Sequence, residues 1–421
     1  MRRIETAEIV AVGSELLTPH RIDTNSLHLT EVLNAAGIDV HGKGIVGDDR
    51  GELRERLRQA LERADLVVTT GGLGPTDDDV TREAVAAELG RELVEDAEVL
   101  SRIEARFAQR RRPMPALNRR QALVPAGAQI LPNPFGTAPG LLLETPDGRL
   151  VCCLPGPARE VRPMVADHLL PRLAGRTTGE ARRRRVVMVT GRAESEVEEA
   201  IRSLDPDLAA GEVPVTRGTF ATPGLIEVHL LAAGDDRARV DAALARAAER
   251  VAGQLGAAAF STAGRTLEEV VGQALLDRGW RIAAAESCTG GLLLGRLTDV
   301  PGSSAYVIGG VVAYANAVKA RALGVPAELI ERHGAVSEPV GAAMARGVRD
   351  ALGADIGVAI TGIAGPGGGS PEKPVGTVVI AVDGVRSRAR TFGFGGDRAM
   401  VRALSVAAAL DMVRREVMAA T

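Results

Sequence analysis

Asp65-Leu66-Val67-Val68-Thr69-Thr70-Gly71-Gly72-Leu73-Gly74-Pro75-Thr76-Asp77-Asp78-Asp79 is the stretch on which the fold turns. Its apolar run is too short for a helix, stops at paired glycines, and is followed by a helical pattern through Leu89, so it reads as buried strand, tight turn and helix. The same grammar precedes it. Ile9-Val10-Ala11-Val12 ends at Gly13, Asp23-Thr24-Asn25 offers caps for a helix through Ala36, and Gly37 closes that helix in the left-handed region. Ile38 to Val46 then reads as strand and Glu52 to Ala64 as helix. Such strand-helix alternation predicts an α/β fold with a parallel sheet.

A glycine-rich turn between a buried strand and a helix exposes backbone N–H groups in a concave nest that suits phosphate. Gly71, Gly72, Gly74 and Thr76 are the candidate binding residues. Asp78 and Asp79 would repel phosphate unless a divalent cation lay between, which makes them candidate metal ligands; helix capping is the alternative use of the same carboxylates. Two other patterns carry nothing. Gly37 to Lys43 has the spacing of a phosphate-binding loop, but Gly44 stands where Ser or Thr is needed, and Gly37 ends a helix instead of opening one. No GxGxxG opens a helix after a strand.

Farther along come Gly136-Thr137-Ala138-Pro139-Gly140 and a strand from Arg149 to Leu154. The texture changes across Gly175 to Gly179, where a small α/β unit begins with Arg182 to Arg185, a run read as a solvated strand start. From about Arg265 a fresh alternation starts. Strand Arg281 to Ala285 runs into Glu286-Ser287-Cys288-Thr289-Gly290-Gly291 and a helix from Leu292 to Thr298. A nucleophile in that turn would sit by free helix N–H groups able to hold an oxyanion, and Ser287 and Cys288 both qualify. His333 is the only histidine of this unit, so a lysine of lowered pKa is the available base. Lys319, after Tyr314 and Asn316, completes a Ser, Tyr, Lys set. Thr361-Gly362-Ile363-Ala364-Gly365-Pro366 reads as a second backbone cradle, and Arg398 as a phosphate fork.

Composition sets the bounds. At about 150 residues per domain, 421 residues suggest two or three domains. A net charge of −3 with 45% apolar residues excludes a disordered chain, and nine aromatics in all are too few for a stacking surface for single-stranded nucleic acid. Three cysteines make no disulfide framework, and the N-terminus is interrupted by Glu5 and Glu8 before any signal-peptide core, so a cytoplasmic protein is expected. Val300 to Val318 lacks charge but holds Pro301, Gly302, Gly309 and Gly310, so no membrane span is expected.

At Val12 to Leu17, Asp23-Thr24-Asn25, Thr70 to Thr76 with Asp78, Asp79 and Thr81, and Gly136 to Gly140, the chain resembles the molybdopterin-binding-fold domain of the competence/damage-inducible CinA family. At Ala285 to Gly291, Tyr314 with Asn316 and Lys319, Gly334 to Ser337, and Thr361 to Pro366 it is similar to that family's nicotinamide-nucleotide amidohydrolase domain. The resemblance implies a multidomain α/β chain: a three-layer molybdopterin-binding-like domain over 1–172, a small KH-type α/β domain over 173–260, and an amidase domain over 261–421. It implies metal-dependent cleavage of ADP-ribose to AMP and ribose 5-phosphate in the first. It implies deamidation of nicotinamide mononucleotide (NMN) to nicotinate mononucleotide and ammonia in the last. Ser287 would be nucleophile, Lys319 its base with Tyr314 assisting, and Thr361, Gly362, Asn316 and Arg398 would hold substrate; Gly71, Gly72, Gly74, Thr76, Gly136 and Thr137 would hold the other substrate and Asp78 and Asp79 a divalent ion. The amidase would need no cofactor. A homo-oligomer, as a dimer, is expected, and nucleic acid is not, because the middle unit has no GxxG loop. The rival expectation is a non-catalytic molybdopterin- or nucleotide-binding regulator acting with a recombination or competence partner.

Overall fold

The computed structural model describes residues 2–177 and 181–419, so part of the change in texture at 175–179 lies outside the described residues. The chain is an α/β multidomain protein that divides into two compact units, one of residues 2–177, 181–183 and 233–241, the other of residues 184–232 and 242–419.

The first unit is built on a six-stranded sheet in the order Asp39–Val46, Thr6–Val12, Leu66–Thr70, Leu150–Leu154, Gly140–Glu144, Gln129–Leu131. Leu66–Thr70 is buried at every position and lies between parallel neighbours. Side chains alternate between the two faces. Ala7, Ile9, Leu66 and Val68 join one core with Leu29 and Leu33 of helix Thr24–Ala35. Val10, Val12 and Val67 join the other with Leu53 and Leu57 of helix Arg50–Arg63 and Ala84 and Val85 of helix Thr81–Glu88. Each fully buried Leu or Val contributes about 2 kcal/mol. The adjacent Cys152 and Cys153 fall in opposite cores, both as free thiols.

The expected parallel sheet is in fact mixed. Gly140–Glu144 and Leu150–Leu154 run antiparallel because Thr145-Pro146-Asp147-Gly148 folds into a turn, with the Gly148 N–H donating to the Thr145 carbonyl at 2.9 Å, and that link is too short for a crossover.

The second unit carries a five-stranded sheet in the order Val307–Val312, Ile282–Glu286, Ile356–Gly362, Thr377–Asp383, Arg388–Gly393. The first three strands are parallel and the last two join as antiparallel neighbours. One face packs helices Leu267–Arg278, Leu292–Thr298 and Arg398–Ala419, and the other packs Asn316–Leu323, Ala327–His333 and Glu338–Leu352. On the second face the strand residues include Ala283, Ala285, Ala359, Ala381 and Gly357, and a Cβ at Gly357 would lie 2.0 Å from the Ala345 carbonyl oxygen, so small residues set how closely helix Glu338–Leu352 approaches. A separate four-stranded sheet has the order Val215–Thr222, Leu225–Gly234, Ala181–Thr190, Ala259–Ser261. Among the described residues, no helix is long and apolar enough to cross a membrane.

Candidate functional site

Three neighbouring strand ends create the site of the second unit. Glu286 pairs with Val312 on one side and Ile360 on the other. The next positions, Ser287, Ala313 and Thr361, therefore emerge side by side at the carboxyl end of the sheet, where open α/β sheets place ligands. The Ser287 N–H donates to the Ile360 carbonyl at 2.9 Å and fixes the start of the turn.

Lys319, in the first turn of helix Asn316–Leu323, points back into this crevice and is only 1% exposed. Its Nζ lies 3.2 Å from Ser287 Oγ and donates to the carbonyls of Ala313 at 2.9 Å and Tyr314 at 3.2 Å. Burial lowers its pKa from the usual lysine range. The neighbouring thiol differs: burial pushes Cys288 up to about 11, so it is protonated at neutral pH.

The other predicted residues arrive differently. Tyr314 reaches Lys319 through its carbonyl; its phenol is exposed and accepts from Arg398 Nη2 at 3.1 Å. Arg398 also donates to the Gly365 carbonyl at 2.8 Å, so it spans the lips that follow two of the three strands. Thr361 is buried with its hydroxyl donating to Ala335 O at 3.0 Å, Gly362 packs closely on Val378, and Asn316 is exposed at the head of its helix.

The oxyanion expectation needs a correction. The helix N–H groups are occupied by Glu286, a fully buried carboxylate: Gly291 and Leu293 donate to one oxygen at 3.0 and 3.1 Å and Leu294 to the other at 3.0 Å. Among the described residues, the N–H groups of Thr289 and Gly290 have no protein acceptor, which leaves them as donors for a developing negative charge. Glu286 has no role in the expectations drawn from sequence; its signal there is a lone carboxylate closing an otherwise apolar strand.

The first unit holds a cavity of about 750 Å³ lined by Gly71, Gly72, Gly74, Asp78, Asp79, Gly136 and Thr137 of the predicted set; Thr76 lies outside it and is exposed. Gly71 and Gly72 have φ of 101° and 63°, and a Cβ at Gly71 would stand 2.1 Å from the Val12 carbonyl oxygen. Carboxylates of the lining are mostly engaged: Asp23 accepts from Ser26 N–H, Asp48 from Ser14 N–H and Glu160 from Asn133 Nδ2, at 3.0, 2.9 and 2.8 Å. Arg21 and Arg110 line the same cavity without an ion pair among the described residues, which favours an anionic guest.

The two aspartates differ. Both oxygens of Asp79 accept from the turn itself, from Gly74 N–H at 2.7 Å, Thr76 N–H at 2.9 Å and the Thr76 hydroxyl at 2.6 Å. Asp78 is exposed. Among the described residues no group of three or more His, Cys, Asp or Glu side chains could hold a metal ion. The donor set fits only a cation that takes most of its ligands from a bound diphosphate and water, with Asp78, exposed though held by a hydrogen bond from Thr76 that lowers its pKa, as the one protein carboxylate.

Two family models match the chain, "Probable molybdopterin binding domain" over residues 8–175 and "CinA C-terminal domain" over residues 264–417. A "CinA-like protein" of Koribacter versatilis is 44% identical over 97% of this chain and 99% of its own, and one of Solibacter usitatus is 43% identical over 98% of each. Among solved structures, the competence/damage inducible protein CihA from Agrobacterium tumefaciens is 41% identical and covers 35% of this chain and 90% of its own, with a TM-score of 0.34.

Proposed function

The chain belongs to the CinA family, and from that membership and the two sites we propose that it is a hydrolase with two centres acting on pyridine nucleotides and their breakdown products. The second unit deamidates NMN to nicotinate mononucleotide and ammonia. The observation that carries this reading is the buried Lys319 side-chain nitrogen 3.2 Å from Ser287 Oγ. A neutral Lys319 takes the Ser287 proton as Oγ attacks the amide carbonyl, and the oxyanion forms toward the Thr289 and Gly290 N–H groups. Lys319 returns that proton to the departing nitrogen, which leaves as ammonia from an acyl-serine. Water, deprotonated by Lys319, then hydrolyses the ester and frees the nicotinate carboxylate and Ser287. Arg398 holds the ribose phosphate; the Thr361 hydroxyl, expected to share that task, is spent on the Ala335 carbonyl. The test is ammonia release from NMN by the purified protein, and no release overturns the reading. Cys288→Ala is expected to keep about half or more of that activity, because a protonated thiol is a poor nucleophile; a loss as deep as that of a Ser287 variant would move the nucleophile to sulfur.

The first unit cleaves ADP-ribose, its diphosphate lying against the Gly71–Gly74 turn. A divalent cation held by Asp78 and the diphosphate would draw negative charge from the breaking bond. A chelator is expected to abolish AMP formation, and Asp78→Asn to lower it about 10²-fold; full activity after both treatments removes the metal role. The lack of a three-ligand cluster among the described residues favours a second reading for this unit alone, a nucleotide-binding module without chemistry. In that case ADP-ribose binds and stays intact.

A further inference from the structure

Arg82, in the first turn of helix Thr81–Glu88, is 1% exposed and has no carboxylate at ion-pair distance among the described residues. Such a charge is costly to bury unless its surroundings answer it. Its Nη1 donates to the Leu73 carbonyl at 2.6 Å and its Nη2 to the Gly74 carbonyl at 2.9 Å, so the guanidinium lies behind the glycine-rich turn. The peptide whose oxygen is that of Leu73 carries the Gly74 N–H, which donates to Asp79 Oδ1 at 2.7 Å. One amide thus has a cation on its oxygen and an anion on its hydrogen.

Carbonyls of Gly71 and Gly72 face Thr81, accepting from its hydroxyl at 2.9 Å and its N–H at 3.1 Å. Those of Leu73 and Gly74 face Arg82, with Gln121 Nε2 a second donor to the Leu73 oxygen at 3.3 Å, and that of Thr76 accepts from Arg120 at 2.9 Å and from the Asp79 N–H at 3.2 Å. Of the N–H groups, Gly71 donates to Leu154 O, Gly74 and Thr76 donate to Asp79, and Pro75 has none. Within residues 71–76 only the Gly72 and Leu73 N–H groups are left without a protein acceptor among the described residues, and both residues line the cavity.

We propose that Arg82 and Asp79 form an ion pair relayed through the Leu73–Gly74 peptide, and that this relay positions the turn so that the Gly72 and Leu73 amides face the cavity as its diphosphate donors. Arg82 is a positioning residue; it is screened from the guest by the turn and acts through it. Hydrogen bonds in series polarise one another, so a guanidinium on the carbonyl strengthens the grip of the Gly74 N–H on Asp79. Asp79 is then a clamp of the turn, which separates its role from that of Asp78. The diphosphate part rests on the function proposed for the first unit; the relay does not.

Full-length Arg82→Met, Arg82→Lys, Asp79→Asn and the Met/Asn double variant are compared by hydrogen–deuterium exchange of the segment 71–80 and by calorimetric binding of inorganic pyrophosphate. Each single variant lacking the pair is expected to speed exchange in that segment about tenfold, and the double variant to be no faster than the faster single one, as coupled partners require. Unchanged exchange in Arg82→Met, or single effects that multiply in the double variant, overturns the relay. Arg82→Lys keeps the charge without the two-pronged fork, so it is expected to recover part of the protection; it also supplies the decision if circular dichroism shows Arg82→Met unfolded. Pyrophosphate binding is expected to weaken about tenfold in Arg82→Met. Wild-type protein that binds no pyrophosphate removes the diphosphate function of the first unit, while the exchange data still decide the relay.

Discussion

Alanine at position 287 is expected to cut ammonia release from NMN by about 10⁴-fold or more while leaving NMN affinity within about threefold, as measured by steady-state assay and calorimetry. That loss corresponds to about 5 kcal/mol of transition-state stabilisation. It follows from what else is in reach. The Cys288 thiol is held protonated by burial, and the Thr361 hydroxyl is committed to the Ala335 carbonyl, so neither replaces the serine oxygen beside Lys319. The Thr289 and Gly290 amides survive the change, which is why a residual rate above that in water should persist. A variant retaining a tenth of the wild-type rate would show that water attacks the amide directly and that Ser287 only helps to shape the turn.

Much of this was legible in the sequence, in so far as it depended on neighbours along the chain. Leu66–Thr70 announces itself through its apolar run and the glycines after it, and the 292–298 helix through the turn before it. What spacing could not show is register. Ser287 and Lys319 meet because Glu286 pairs with both Val312 and Ile360, and the sheet order that makes this so depends on long-range packing of small residues such as Ala283, Ala359 and Gly357. Nor could adjacency distinguish Asp78 from Asp79; one carboxylate folds back on Gly74 and Thr76 and the other faces solvent, a matter of turn geometry alone. The phenol of Tyr314 points to Arg398, and only its carbonyl meets Lys319, a distinction invisible when residues are read as side chains.

Lys319 should set both the pH dependence of the amidase and part of the pH dependence of stability. Only the neutral amine can accept the serine proton, so kcat/KM for NMN is expected to rise with pH and then level off. Because burial lowers the lysine pKa, the rising limb lies below the usual lysine range near 10.5. The same displacement acts on folding with a definite sign. Between the folded and unfolded pKa values the unfolded chain binds more protons at this position, so the lysine's contribution to stability improves as pH rises through that interval and is constant outside it. Wild-type protein should therefore gain stability relative to Lys319→Met with increasing pH, by up to about 1.4 kcal/mol per pH unit within the interval. Lys319→Met itself should be inactive at every pH. Denaturant titrations of both proteins across a pH series give the stability difference, and the NMN assay gives the kinetic limb. If the difference is flat with pH while the amidase limb persists, some other group is the base; a flat rate profile together with an active Lys319→Met variant would leave the serine without a proton acceptor from this chain.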